Sequence, residues 1–198
     1  MIRIKKTLHN STLKNNPVLR QILGICSALA VTNLMMNSLI MGLGVIFVTG
    51  LSELTVSMLR KHTDKHIRMM VQVLIIAWYV IIVDILLKLY LPEISKALGP
   101  YVGLIITNCI IMGRCEAFAQ NNKPLDSLID GIASGIGYTL VLLVIAFFRE
   151  LLGFGTLFGY EVLGSWWTRW DLMKMPAGAF FMLGLLIWIT RSLEARKE

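Results

Sequence analysis

Two cysteines in short apolar stretches are the residues of this sequence best suited to chemistry. Cys26 lies in the stretch Ile22–Val31, and Cys109 lies in the stretch Tyr101–Met112. The stretches have only 10 and 12 residues, whereas a helix that spans a bilayer needs about 20. Two unusually short hydrophobic segments at corresponding places in two halves of a chain indicate broken helices that form a site at the membrane midplane. The two thiols therefore indicate a metal or redox centre inside the membrane.

The number of ligands predicts that such a centre is shared with another chain. Iron–sulfur clusters and closed zinc sites take four ligands, and thiolates suit both. Cys115 follows Cys109 by six residues, so on a continuous helix it would face roughly 240° away, and we interpret it as structural. The three histidines, His9, His62 and His66, all lie outside the apolar segments. The alternative is that each cysteine is a small packing residue, which is the usual role of an isolated cysteine.

The composition identifies a polytopic, all-α membrane protein. Of its 198 residues, 56% are hydrophobic and 16% are charged, whereas a soluble domain carries about 25% charged residues. The net charge is +7, but the basic residues lie mainly in loops and termini, where they orient membrane proteins. Nucleic acid is therefore not an expected partner, and the lipid bilayer is.

The apolar segments predict six spans and a simple division of the chain. A basic arm at residues 1–17 precedes a membrane domain at 18–191, and a tail follows at 192–198. The two halves of the membrane domain are about 18–91 and 99–191. Tryptophans typical of membrane interfaces are Trp166, Trp167, Trp170 and Trp188. The predicted spans are roughly 18–34, 36–59, 69–91, 99–119, 127–148 and 174–191.

The distribution of Lys and Arg predicts that both termini are cytoplasmic. An even number of spans places both termini on one side of the membrane. The 19 Lys and Arg residues then divide 14 to 5 in favour of that side, and basic residues are enriched in cytoplasmic loops. The five on the other side are Lys88, Lys96, Arg149, Arg169 and Lys174.

An internal repeat relates the two halves. Residues 37–42 (NSLIMG) and 126–131 (DSLIDG) share four of six positions at an offset of 89, while the two cysteines are offset by 83. An insertion of six residues, placed at 120–125, reconciles the offsets. A rival alignment pairs residues 32–33 with 107–108. Since each half has three spans, we predict two inverted three-helix repeats, with helices 1 and 4 broken.

Ionisable residues within or near the spans are candidates for function. Asp84 and Lys88 are four residues apart and could pair across one helical turn. We expect most of these side chains to lie near the interfaces, solvated or paired, with a sodium role for Glu53 or Asp130 as the alternative. The others in this set are Glu116 with Arg114, expected at the cytoplasmic face, and Arg149 with Glu150, expected at the outer face.

Four motifs resemble a known family. They are LGICSALAVT (23–32), VGLIITNCIIMGRxEAFA (102–119), DGIxSGIGY (130–138) and FFRELLGFGTLFG (147–159). In them the sequence resembles the family formed by the D subunits of Na⁺-translocating NADH:quinone oxidoreductases (Nqr) and the E subunits of Rnf complexes. The resemblance extends from Asn16 to Arg191, and Ser27 and residues 102–103 look like Nqr.

The resemblance implies an electron-relay subunit in a bacterial inner membrane, coupling electron transfer from NADH to quinone with sodium export. It implies a 2Fe-2S cluster shared with a paralogous, inverted E subunit, with Cys26 and Cys109 at the family's two ligand positions. Cys115 stands where relatives usually have Ala. FMN, FAD, riboflavin and quinone are implied only in other Nqr subunits, so we expect no catalytic residue and no complete active site in this chain.

Two alternatives are the E subunit of an Rnf ferredoxin:NAD oxidoreductase and an inverted-repeat secondary transporter. Transporters commonly combine inverted repeats with broken helices. Their sites use helix ends with Ser, Thr, Asn or carboxylates and do not require paired cysteines. Iron content distinguishes a transporter from a redox subunit, and the sequence identifies no residues of an ion pathway.

Overall fold

The computed structural model describes residues 18, 21, 23–90, 99, 101–157, 160–161 and 171–195. In this part of the chain the structure is helical, apart from the paired two-residue strands β1 (Thr156–Leu157) and β2 (Tyr160–Glu161). A π-helical turn occupies Cys115–Ala119. The α-helices are α1 (Ile25–Val31), α2 (Met35–Leu59), α3 (Arg68–Tyr90), α4 (101–106), α5 (Cys109–Arg114), α6 (Pro124–Gly153), α7 (Asp171–Lys174) and α8 (Pro176–Ala195).

Five of the described helical segments are long and apolar enough to cross a membrane. They have between 18 and 30 residues, compared with the requirement of about 20. The protein is therefore a multi-pass helical membrane protein, as predicted, and the segments correspond to the last five predicted spans. The five are Met35–Leu59, Arg68–Tyr90, Tyr101–Ala119, Pro124–Gly153 and Pro176–Leu193.

The first predicted span, 18–34, differs from the other five. Within it the structure describes one helix, α1, which has seven residues. At 1.5 Å per residue, α1 is about 10 Å long, a third of the hydrocarbon thickness. The predicted arm at 1–17 lies outside the described residues, as do Trp166, Trp167 and Trp170. Trp188 is exposed on α8.

Helices α2 and α6 form the centre of the fold. About half of the apolar window of each is buried, against 17% for α3 and for α8. Polar residues on α2 and α6 are also buried, including Ser38, Thr49, Ser127 and Ser134. The peripheral helices α3 and α8 thus present most of their apolar side chains to the surroundings of the chain.

The contact between α2 and α6 depends on glycines. A Cβ atom added to Gly135 would lie 2.8 Å from the Cα atom of Ile46, and one added to Gly131 would lie 3.0 Å from the Cα atom of Gly50. A third close approach is between Gly42 and the side chain of Thr139. Small residues allow helix backbones to approach closely in membranes, and here the two helices run antiparallel.

These contacts follow the offset of 89 residues that relates the two hexamers. If each residue is replaced by the one 89 positions away in the other helix, the contact between Gly42 and Thr139 becomes the contact between Gly131 and Gly50. The contact between Ile46 and Gly135 is converted into itself. Exchange of this kind is a property of two antiparallel helices in this register.

Candidate metal centre

Cys26 is positioned by a left-handed turn at Gly24. Gly24 has φ +79° and immediately precedes α1, so Cys26 is the second residue of this helix. A Cβ atom at Gly24 would lie 2.6 Å from Cδ1 of Ile110 and 3.1 Å from the ring of Tyr138. Only glycine fits this conformation and this space. The turn directs the side chain of Cys26 outward, where it is exposed.

Cys109 is positioned by a break between α4 and α5. The backbone is extended at Asn108 (φ −69°, ψ 116°), and Cys109 is the first residue of α5. The Oδ1 atom of Asn108 accepts a hydrogen bond of 3.1 Å from the N–H group of Ile110. This is an N-cap, in which a side chain satisfies a free N–H group of the first helical turn. The amide of Asn108 therefore starts the cysteine-bearing half of the segment.

The two breaks meet in space, although they are about 85 residues apart in sequence. The backbone N–H group of Gly24, two residues before Cys26, donates a hydrogen bond to Sγ of Cys109 at 3.4 Å. Both cysteines are free thiols, Cys26 exposed and Cys109 partly exposed. The fold thus places Sγ of Cys109 against the turn that precedes Cys26, and the side chain of Cys26 is accessible from outside the chain.

A buried polar network lies on the interior side of the two cysteine-bearing turns. Ser27 donates a hydrogen bond to the carbonyl oxygen of Gly24 (3.1 Å), and its Oγ atom lies 2.5 Å from the hydroxyl oxygen of Tyr138. The Nδ2 atom of Asn108 donates to the same Oγ atom at 3.4 Å. Sequence analysis did not identify Tyr138 as part of the site. The available signal was a tyrosine in the DGIxSGIGY motif, because a buried tyrosine hydroxyl usually has a hydrogen-bond partner.

The donor set fits half of a four-thiolate centre. One soft thiol follows each of two neighbouring turns, and thiolates are the ligands of iron–sulfur clusters. Within the part of the chain that the structure describes, no group of three or more His, Cys, Asp or Glu side chains could hold a metal ion. A closed cluster at this place therefore needs ligands from outside the described residues, and the exposed side chain of Cys26 leaves access for them.

The remaining thiol and imidazole groups lie elsewhere. Cys115 is wholly buried at the start of the π-helical turn, where it packs among apolar side chains. His62 and His66 are exposed in the connection between α2 and α3, and His9 lies outside the described residues.

Arg149 and Glu150 have separate hydrogen-bond partners, and both side chains are buried, not solvated. Each is only 1% exposed. Arg149 donates to Oγ1 of Thr32 (2.6 Å) and to three carbonyl groups at the end of α7 and just beyond it. Glu150 accepts the N–H group of Met35 at 2.7 Å, which satisfies the first residue of α2. These charges connect helix ends inside the protein.

Glu53 is an exception to the expectation that most of these side chains are solvated or paired. It is 0% exposed, and neither of its oxygens has a hydrogen-bond partner among the described residues. Asp130, by contrast, is buried in an ion pair with Arg114. The predicted pair of Asp84 and Lys88 is confirmed, with Nζ and Oδ2 2.6 Å apart.

Glu116 is also paired. Its two carboxylate oxygens accept hydrogen bonds from Arg68 (3.0 Å) and from Gln72 (2.7 Å), both in the first turns of α3. Half of its side chain is exposed. This residue therefore combines the solvation and the pairing that we expected.

The fold defines a class: a multi-pass helical membrane protein, in which the turn before α1 lies against the start of α5. The profile of the family described as "Rnf-Nqr subunit, membrane protein" matches residues 4–187, and the chain belongs to this family. It is 50% identical over 193 residues to the D subunit of the Na(+)-translocating NADH-quinone reductase of Photobacterium profundum. That alignment covers 95% of this chain and 92% of the relative.

Proposed function

We propose that this chain is the D subunit of a Na⁺-translocating NADH:quinone reductase, a translocase of the bacterial inner membrane. In it the chain relays electrons on their way from NADH to quinone, coupled with sodium export. Identity of 50% to a D subunit over 95% of the chain supports this role over that of an Rnf E subunit. The observation that carries the redox role is the hydrogen bond from Gly24 to Sγ of Cys109, which brings the two cysteine-bearing turns together.

In this proposal Cys26 and Cys109 are two of the four ligands of a 2Fe-2S cluster. The other two are cysteines of the paralogous E subunit, which contacts the exposed side of Cys26. When bound, the cluster supplies one-electron transfer within the membrane. The chain's own contribution is to hold two thiolates at rigid turns and to exclude water from their inner side, where Ile110 and Tyr138 are wholly buried.

The proposal includes the architecture of two inverted three-helix repeats, about 18–91 and 99–191, with helices 1 and 4 broken. Two observations support it. The contacts between α2 and α6 exchange under the offset of 89 residues. Each cysteine also lies in the first turn of a short helix that begins after a break, at Gly24 or at Asn108. The flanking segments 1–17 and 192–198 are then cytoplasmic.

The proposal is tested by producing the chain with and without the paralogous E subunit. Iron, acid-labile sulfide and visible iron–sulfur absorbance are measured on the purified products, and oligomeric state is measured by size. We expect the cluster only in the co-expressed pair, because one chain supplies half of the ligands. A full cluster in the monomeric chain alone would contradict the shared site. Absence of iron from the pair as well would favour a transporter over a redox subunit.

A further inference from the structure

The hydroxyl group of Tyr138 lies beneath both cysteine-bearing turns. Tyr138 is on α6, the longest of the described helices, and is 0% exposed. Its hydroxyl oxygen is 2.5 Å from Oγ of Ser27, the residue after Cys26. One side chain on the central helix thus contacts the residue after Cys26, and Asn108, the residue before Cys109, donates to the same Oγ atom of Ser27 at 3.4 Å.

The donor inventory limits the directions that these hydrogen bonds can take. A serine hydroxyl has one hydrogen and can accept two hydrogen bonds. Ser27 donates its hydrogen to the carbonyl oxygen of Gly24 at 3.1 Å. Its oxygen accepts from Nδ2 of Asn108 at 3.4 Å, and in its bond of 2.5 Å to Tyr138 either hydroxyl can be the donor. With Tyr138 as the donor, the bonds form a chain from Tyr138 through Ser27 to the carbonyl oxygen of Gly24.

Gly24 in turn contacts the sulfur. Its N–H group donates to Sγ of Cys109, and its left-handed conformation leaves no room for a side chain against the ring of Tyr138. Hydrogen bonds to cluster sulfurs stabilise the more negative, reduced form and so raise the reduction potential. The orientation of Gly24 is therefore relevant to redox chemistry as well as to structure.

We propose that Tyr138 is a positioning residue for the metal centre. Its hydroxyl, acting through Ser27, holds Gly24 so that the Gly24 N–H group faces Sγ of Cys109 and raises the potential of the cluster. The inference rests on the proposed function, because it requires a cluster at Cys26 and Cys109. It is separable from that function, since the cluster can be present while Tyr138 has no effect on it.

The test is the substitution Tyr138→Phe in the whole complex, which removes the hydroxyl and keeps the ring. The matched control is Tyr79→Phe, because the Tyr79 hydroxyl makes a bond of 2.8 Å to Thr55 between α3 and α2, away from the cysteines. Iron and acid-labile sulfide are measured first, and then the potential by redox titration followed by EPR. In Tyr138→Phe we expect full iron and an equilibrium constant for reduction about fivefold lower, the contribution of one hydrogen bond. This is a shift of about 40 mV to more negative potential for a one-electron couple, with no shift in the control.

A double-mutant cycle with Ser27→Ala examines the route of the effect. Because Tyr138 acts through Ser27, the double variant should shift the potential no further than Ser27→Ala alone. Additive shifts, or a potential unchanged in Tyr138→Phe with full iron, would overturn the proposal. If Tyr138→Phe loses iron, the potential of Ser27→Ala is measured instead, because the tyrosine still fills its space in that variant. A shifted potential in Ser27→Ala supports the proposal, and an unchanged potential rejects it. Whether the chain binds a cluster at all is tested separately, with substitutions of Cys26 and Cys109.

Discussion

Arg60 and Arg149 occupy positions related by the offset of 89 residues, and each reaches the segment that precedes the central helix of the other half. Nη1 of Arg60 donates to the carbonyl oxygen of Asn122, just before α6, at 2.9 Å. Nη1 of Arg149 donates to Oγ1 of Thr32, just before α2, at 2.6 Å. The two arginines thus connect the ends of α2 and α6 to the ends of the cysteine-bearing segments.

The two arginines differ in burial, which predicts a difference in stability. Arg149→Gln removes donors from four acceptors in a buried place, so it should lower the free energy of unfolding by about 2–5 kcal/mol. Arg60→Gln should cost about 1 kcal/mol or less, because Arg60 is partly exposed and the carbonyl of Asn122 keeps its hydrogen bond from Ser57. Thermal unfolding of the purified complex measures both. Equal effects of the two substitutions would contradict the different burial.

The close approach of α2 and α6 predicts sensitivity to one methyl group. In Gly135→Ala the new Cβ atom would lie 2.8 Å from the backbone of Ile46, so the helices must separate, at a cost of about 1–3 kcal/mol. The control is Gly184→Ala in α8, where no described atom lies within 4 Å of the added carbon. It should be neutral or slightly stabilising, because alanine favours helix. Thermal unfolding of both variants is the measurement, and similar unfolding temperatures would argue against the contact.

Much of the site followed from the sequence because its signals are local. Short apolar stretches predicted that Cys26 and Cys109 lie in short helical segments, and each is in the first turn of a helix of seven residues or fewer. The spacing of Asp84 and Lys88 predicted their ion pair, since residues four apart share a helix face. These patterns depend on periodicity and length, which the chain itself contains.

The burial of polar side chains inside the protein could not be predicted from the sequence. Arg149 and Glu150 lie near the end of a predicted span, so an interface was the natural expectation, yet contacts with Thr32 and Met35 bury both. The role of Tyr138 depends on a contact with Ser27, 111 residues away. Such contacts are determined by how α6 packs against the rest of the chain, and no single-sequence pattern records that packing.

The excess of basic residues predicts the orientation in the membrane. A reporter fused after Glu198, or inserted in the connection 60–67, should be active only as a cytoplasmic marker, because 14 of the 19 Lys and Arg residues lie on that side in the six-span topology. A reporter inserted near Lys96 is the opposite control and should read out on the outer side. Periplasmic activity of the C-terminal fusion would overturn both the topology and the orientation of the two halves.

The central claim is that Cys26 and Cys109 are cluster ligands, and the most direct measurement is the iron content and EPR signal of single-cysteine variants in the whole complex. Cys26→Ser and Cys109→Ser should each remove the 2Fe-2S signal, because an alkoxide is a much poorer ligand than a thiolate for a soft metal. The buried Cys115→Ala is the matched control and should keep the signal. NADH oxidation by an artificial acceptor should survive in all three, while quinone reduction fails in the first two. Iron and quinone reduction that persist in Cys26→Ser or Cys109→Ser would show that these are packing cysteines and would contradict the account.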